Sequence, residues 1–309
     1  MPKETIKQQI TVVVVNWFSN NLLLQLLDNL TAKAVFPERL HFFIVDNTNG
    51  EDREIGQLKR LYKRVHIEEI HSGNLKGSWA HAHGLNFATN RVQTPYTVVM
   101  DPDIHLFKEQ WDEFLIGELV KHEAMAIGAP YPSWKLGKYH QFPSPPFIFY
   151  KTSVLKTLGL DWSPFPKAFS PQIYNFITRQ IVRMGLFCTR RRLSKYPKLR
   201  KTAKRLETIF GVCAPDTGWL IASKSKRDNL RTLLFDDVQE GTSPFNQYPF
   251  STALDILSTE YELYQYENEP ILTHKYSTNG YLWRTSFGKD TQYWLDLIRQ
   301  TEEEMTHRA

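Results

Sequence analysis

Two aspartates, Asp101 and Asp103, close the apolar run Val98-Val99-Met100 in VVMDPDIHLF, with only Pro102 between them. Carboxylates this close raise each other's pKa, so a positive group should sit between them. The alternative is a polar turn, which Asp-Pro favours for local reasons. An Asp-x-Asp at a strand end suits a hard divalent cation. Mg²⁺ or Mn²⁺ takes oxygen ligands and shares them with substrate phosphates, neutralising the carboxylates and a diphosphate together. His81 and His83 stand on an expected helix after Gly77. Two positions apart, they do not share a helix face, so they make a poor joint metal site.

The surrounding elements must carry these side chains to one place. TVVVV (11–15) is a β-branched run without alternation, as in a strand buried on both faces, and Asn16 closes it. Ser19 or Asn20 can cap the helix that follows, NLLLQLLDNLTAKA. HFFIV (41–45) is a second strand ending at Asp46-Asn47, and a helical pattern runs from Glu51 to Arg64. VHIEEIH (65–71) is a third strand, Gly77 to Arg91 a helix, and YTVVM (96–100) a fourth strand. Repeated strand–helix alternation predicts a parallel sheet with helices on both faces. Ligands of such sheets bind beyond the carboxyl ends of the strands. Asn16, Asp46-Asn47, His71-Ser72-Gly73-Asn74 and Asp101–Asp103 all lie there, although each residue type also favours simple turns. Neither GxGxxG nor GxxxxGK[ST] follows the first strand, which excludes the ordinary dinucleotide and P-loop readings.

Past residue 130 the pattern loosens into a proline-punctuated region. FIFYKTSVLKTLG (147–159) is a strand running into a helix, and in CAPDTGWLIASK (213–224) Asp216-Thr217 reads as a helix start. YELYQY (261–266) and PILTHKYS (270–277) are late strands.

VVVVNW, IVDNTNG, GNLKGSWAHAHGLNFA and VVMDPDIHLF, in order over residues 11–108, resemble the successive signatures of family-2-type glycosyltransferases with the GT-A fold. The resemblance implies an α/β, Rossmann-like, mostly parallel sheet with helices on both faces and a smaller acceptor-side region. Residues 1–130 would be the nucleotide-sugar-binding half of one continuous catalytic domain. Residues 131–309 would be the acceptor-side half, with the basic segment 179–205 and the C-terminal closing elements. By the same likeness Asn16 and Asp46 hold the base, although Asp46 could equally make an Asx-turn. Asn74, Lys76 and Gly77 belong to the donor turn, which departs from the usual Asn-x-Gly by one residue. Asp101 lies near ribose and metal, and Asp103 binds the metal, Mn²⁺ or Mg²⁺. Enzymes of this kind often take a further metal ligand from a late strand or loop, and His274 in PILTHKYSTNGY is the candidate here.

The reaction implied is inverting transfer of a sugar from a nucleotide-diphosphate donor, a UDP-sugar, to a glycan or lipid-linked hydroxyl. That transfer needs a base for the acceptor proton. Asp216 is the choice, beside Trp219, which could stack on a sugar face; the bland reading is an N-cap aspartate. The family's usual Glu-Asp pair is not at this place, and Asp236, Asp237 and Asp255 are its rivals for the role. A nucleotidyltransferase would carry a Gly-rich basic loop after the first strand, and VVVVNWFSNN has neither Gly nor Lys/Arg. A GT-A-like module that binds without catalysis is the remaining alternative.

The 309 residues suffice for one large domain or two small ones, and 41% hydrophobic with 23% charged residues is ordinary for a globular chain. No stretch approaches the roughly 18 apolar residues of a membrane span. The start MPKETIKQQI lacks a signal-peptide core, and Cys188 and Cys213 match no metal or redox spacing, so a reducing, cytoplasmic setting is expected. The net charge of +5 is uneven: Arg179 to Arg205 holds eleven Lys/Arg and no acid, leaving the remainder acidic. Within NFITRQIVRMGLFCTRRRLSKYPKLRKTAKRL (175–206), Phe176, Ile177, Ile181, Met184 and Phe187 fall at helical spacings. A cationic amphipathic segment fits peripheral contact with an anionic membrane, here at its inner face, or a solvated helix packed on the domain. Nucleic acid is not expected, since the aromatics do not interleave with the charges as stacking platforms would.

Overall fold

The computed structural model describes residues 8–159, 161–165, 169–185, 187–238, 252–276 and 290–306. Strand β1 (Ile10–Asn16) is buried along its whole length. Its side chains alternate between two cores. Val12 and Val14 pack on one sheet face with Leu23, Leu26, Leu27 and Leu30 of helix α1 (Asn20–Lys33). Val13 and Val15 pack on the other with Ala82, Leu85 and Ala88 of α3 (Ser78–Thr89). Covered on both faces, the strand has no use for a polar alternation, and the unbroken valine run follows.

Parallel pairing joins β1 to β2 (Leu40–Asp46) and β4 (Tyr96–Met100), and β2 to β3 (Val65–Glu69). β7 (Pro143–Lys151) then runs antiparallel to β4 and to β6 (Ala126–Pro130), and β8 (Thr232–Leu234) closes the edge. The order of this seven-stranded sheet is β3-β2-β1-β4-β7-β6-β8, so it crosses the expected boundary at residue 130 without a break. A second sheet orders β5 (Ile104–Leu106), β11 (Glu269–His274), β10 (Glu262–Tyr266) and β9 (Asp236–Asp237). β5 follows Asp103 directly, so this small sheet grows out of the Asp-x-Asp.

Three expectations need correction. The pattern over Glu51 to Arg64 yields only a 3₁₀ turn (Ile55–Gln57) and one α-turn, α2 (Leu58–Leu61). Asp52 is drawn instead to the strand rim, where its carboxylate accepts from Asn16 (2.9 Å) and Asn20 (3.0 Å). The helix after Asp216 starts at Trp219 with Gly218 as its N-cap, so Asp216 does not cap it. The basic belt is not one helix but three, α6 (Phe169–Arg183), α7 (Arg190–Lys195) and α8 (Pro197–Phe210). The remaining helices are α4 (Trp111–Lys121), α5 (Thr152–Thr157), α9 (Trp219–Arg227), α10 (Thr252–Glu260) and α11 (Thr291–Thr306). Among the described residues no helix is long and apolar enough to cross a membrane. The Ser-Thr-Asn-Gly stretch after Tyr276 lies outside the described residues.

Candidate active site

Asp101 leaves the end of β4, with its N–H on the Pro146 carbonyl at 3.1 Å. Asp103 precedes β5, and antiparallel pairing sets His274, the last residue of β11, opposite Ile104. The Lys275 N–H donates to the Asp103 carbonyl at 3.0 Å, which locks this register. Residues more than 170 positions apart thus converge, with ligand atoms of Asp101, Asp103 and His274 all within 4.8 Å of one another. His274 Nε2 stands 3.3 Å from Asp103 Oδ1 and 3.7 Å from Asp101 Oδ2. The positive group that the paired aspartates call for is this imidazole.

Its other nitrogen is fixed from behind. Nδ1 lies 3.0 Å from Glu262 Oε2, and an ionised carboxylate only accepts, so Nδ1 carries a proton and Nε2 faces the aspartates. Glu262 also pairs with Lys135, both of them buried, and the Lys135 ammonium lies 3.5 Å from the Tyr276 ring centroid. Burial by itself would lower the His274 pKa, but Asp103 and Glu262 outweigh it and push the ring up to about 10. Burial would raise Glu262, yet Lys135 and His274 hold it down at about 2. Asp101 is raised, mainly by burial and further by Asp103, against the pull of His81 and His274.

Two carboxylates and one imidazole could hold a divalent metal ion. Ligands about 2.1 Å from an octahedral ion and at right angles stand about 3.0 Å apart. The observed 3.3 and 3.7 Å exceed this by about 0.3 and 0.7 Å, a distance that small side-chain rotations close, so the residues present fit such an ion.

Helix α3 ties this cluster to Asp216. His81 Nε2 is 3.6 Å from Asp101 Oδ1, and three residues earlier the Ser78 hydroxyl donates to Asp216 Oδ1. Positions i and i+3 lie on one helix face with Cβ atoms about 5–6 Å apart, so the two acids stand at opposite ends of one helical turn. Lys138 pairs with the other Asp216 oxygen, and the Thr217 N–H donates at 2.9 Å. Burial would raise this carboxyl, but Lys138, Ser78 and the Thr217 amide outweigh it and set it at about 2. Asp216, Trp219, Tyr131, Tyr139 and Pro145 line a shared cavity. Of the other acids, Asp237 is taken by the Ser133 N–H and hydroxyl (3.1 and 3.0 Å), while Asp236 and Asp255 are exposed.

On the donor side Asn16 and Asp46 are brought together, but both are closed to solvent. Asn16 Nδ2 donates to Asp46 (3.1 Å) and Asp52, and its Oδ1 accepts from the Ser19 N–H at 3.0 Å. Asp46 also accepts from the Thr48 N–H at 3.2 Å and from its hydroxyl at 2.8 Å. These side chains brace the rim rather than face outward. The surface above them is Trp17, 60% exposed, with Phe18 edge-on at 5.4 Å and in a left-handed conformation (φ 51°). Asn74, Lys76 and Gly77 form an exposed turn at the head of α3. Gly77 adopts φ 53° and ψ −131°, a conformation that a side chain would strain.

Lys135 and Glu262 carried no motif in the sequence. The one trace was an acid inside the apolar strand pattern of YELYQY.

The sequence pattern of glycosyl transferase family 2 matches residues 11–183, more than half of the chain. The chain belongs to that family. It is a glycosyltransferase, and its layered sheet is the GT-A arrangement. No curated protein matches it. Among solved structures it is similar to the mannosyltransferase PcManGT from Pyrobaculum calidifontis, in complex with GDP-Man and Mn²⁺. The identity there is 15%, over 73% of this chain and 75% of that one, with a TM-score of 0.43. It is also similar to S. aureus TarS 1–349, at 16% identity over 56% of this chain and 64% of that one, with a TM-score of 0.42.

Proposed function

We propose that this glycosyltransferase moves a sugar, with inversion, from a nucleotide-diphosphate donor to a hydroxyl of a glycan or lipid-linked acceptor. Asp101, Asp103 and His274 would hold Mn²⁺ or Mg²⁺, and their convergence is the observation that carries this reading. When bound, the ion supplies charge stabilisation to the departing diphosphate.

The chain's own residues do the rest. Asn16 and Asp46 fix the rim, Trp17 offers a ring for the base, and Lys76 adds positive charge beside the diphosphate at the head of α3. Asp216 takes the acceptor proton: it already accepts a hydroxyl, that of Ser78, and stands one helical turn from Asp101. Lys138 keeps it ionised until the acceptor arrives. Trp219, on the shared cavity wall, packs against the sugar. The acceptor would be carried at an anionic membrane surface, to which the basic segment is complementary.

Thermal melting with UDP, GDP and dTDP, each with and without Mn²⁺, tests the donor site. A rise with UDP that requires Mn²⁺ is expected, since a ligand of the native state stabilises it. A larger response to GDP reassigns the donor, and no response to any nucleotide overturns the reading.

A further inference from the structure

Helix α6 is oriented against the usual rule. A surface helix turns its apolar stripe to the core and its polar face to water. Here Thr178 and Val182 face inward, Val182 into a cluster with Leu136, Leu193, Ala203 and Cys213. Ile173, Tyr174, Phe176, Ile177 and Ile181 face outward, 42% to 57% exposed. Spacings of three and four residues put them on one stripe. The helix is anchored in this pose, because the Arg183 guanidinium donates twice to the Leu136 carbonyl, at 3.0 and 2.9 Å. A contiguous exposed apolar stripe of this kind marks an interaction surface.

The charges beside it say what covers it. Arg179 lies 5.7 Å from the Phe176 ring, Arg192 4.5 Å from exposed Phe187, and Lys195 5.6 Å from exposed Tyr196. These three exposed aromatics thus each have a cation beside them, and from Arg179 to Arg205 there is no acid. We propose that the outer face of α6 inserts into an anionic lipid surface, with the cations of α7 and α8 seated on the headgroups. The isoleucines 173, 177 and 181 that run along the stripe give a nucleic acid nothing to stack on, and a second copy of the chain would bring two basic belts together. Aromatic and aliphatic residues backed by Lys/Arg are the composition of interfacial helices.

Not every cation of the basic segment belongs to this surface. Arg190 is buried, donating to the carbonyls of Tyr261 (2.7 Å) and Ser258, so it binds the fold and not a membrane. The docking face deepens the membrane contact proposed above, and its test does not use the transfer reaction, so docking and catalysis can fail separately.

Cosedimentation with vesicles of equal parts phosphatidylglycerol and phosphatidylcholine, against phosphatidylcholine alone, reads binding directly. Wild type should bind the anionic vesicles and release in high salt, where charges are screened. Ile173→Asp, Ile177→Asp and Ile181→Asp combined should weaken binding at least tenfold while the melting temperature stays near wild type. Lys198→Gln with Lys201→Gln should weaken it by about fivefold per charge removed. A spin label on Ile177→Cys should become oxygen-accessible on the vesicles. Four results overturn the proposal: no binding by wild type, equal binding by the isoleucine variant, a label that stays in water, or a dimer that the isoleucine changes dissociate.

Discussion

At the residue scale the chemistry rests on groups whose ionisation is set by named neighbours. Glu262 is the clearest case. It holds His274 Nδ1, so Nε2 keeps its aim at Asp101 and Asp103. Groups behind metal ligands typically change affinity about 10–100-fold when removed. Glu262→Gln should therefore weaken Mn²⁺ binding by about that factor, read by Mn²⁺ electron paramagnetic resonance, whereas unchanged affinity would show that the aim is set elsewhere. The double variant Glu262→Met with Lys135→Met removes both members of the buried pair and guards against loss of fold. His274 is held at about 10 in the folded chain, so at pH 8 it carries a proton that an incoming cation must displace. Calorimetry of Mn²⁺ binding in buffers of different ionisation enthalpy should find about one proton released. The same values give the stability dependence. A raised histidine contributes fully below its ordinary value of 6.5, and that contribution fades as pH rises through about 10. Glu262, held at about 2, contributes above its ordinary 4.5 and fades as pH falls through about 2. The melting temperature of wild type should fall from pH 6.5 to 10 more steeply than that of His274→Gln.

Asp216 gives the second residue-scale prediction. A positioned base typically supplies about 10²–10⁴-fold in rate. Asp216→Asn should cost about that factor in transfer with donor affinity nearly unchanged. Because Lys138 is the main cause of its low pKa, Lys138→Met should raise the carboxyl and move the acid limb of the pH–rate profile upward. An acid limb that does not move would remove Asp216 from the proton transfer.

At the element scale α3 is the beam between the two acids, and its fit to the sheet depends on Gly84. A Cβ there would stand 3.0 Å from Val15 Cγ2 and 3.1 Å from Cγ1. Overpacking such a site costs about 1–3 kcal/mol, so Gly84→Val should lower stability by that amount. It should also reduce transfer more than its stability loss explains, by tilting Ser78 and His81 away from Asp216 and Asp101. Wild-type kcat in a folded Gly84→Val variant would show that α3 does not position the site. The elements legible in the sequence are those whose signal is local. β1, β2 and β4 are mainly apolar runs stopped by a polar residue, and β3 is an alternating VHIEE; these local patterns place the four strands within one or two residues. The segment after Glu51 was misread because Asp52 answers to Asn16 and Asn20, a tertiary contact without periodicity. The start of α9 was misread because Asp216 is spent on Lys138 and Ser78, which lie far away in sequence.

At the scale of the whole molecule the site is assembled by the second sheet. β5 and β11 pair across some 170 positions, and only that pairing brings His274 to the aspartates. The sequence suggested His274 through likeness to a family and not through spacing, since nothing local ties residue 274 to residue 103. Lys135 and Glu262 are less legible still: a buried ion pair needs each partner at one point in space, and neither neighbourhood announces it. The fold was readable because strand burial is written in consecutive residues, whereas the support behind the site is written in contacts between strands.

The central claim is that Asp101, Asp103 and His274 form one cation site shared with the donor's diphosphate. Isothermal titration of UDP into wild type and Asp103→Asn, each with and without Mn²⁺, tests it most directly. Wild type should bind UDP at least about 10²-fold more tightly with Mn²⁺ than without, a difference of about 2.7 kcal/mol. Asp103→Asn should bind UDP equally weakly in both conditions while melting near the wild-type temperature. UDP affinity that Mn²⁺ does not change in wild type, or that Mn²⁺ still enhances in Asp103→Asn, would contradict the assignment.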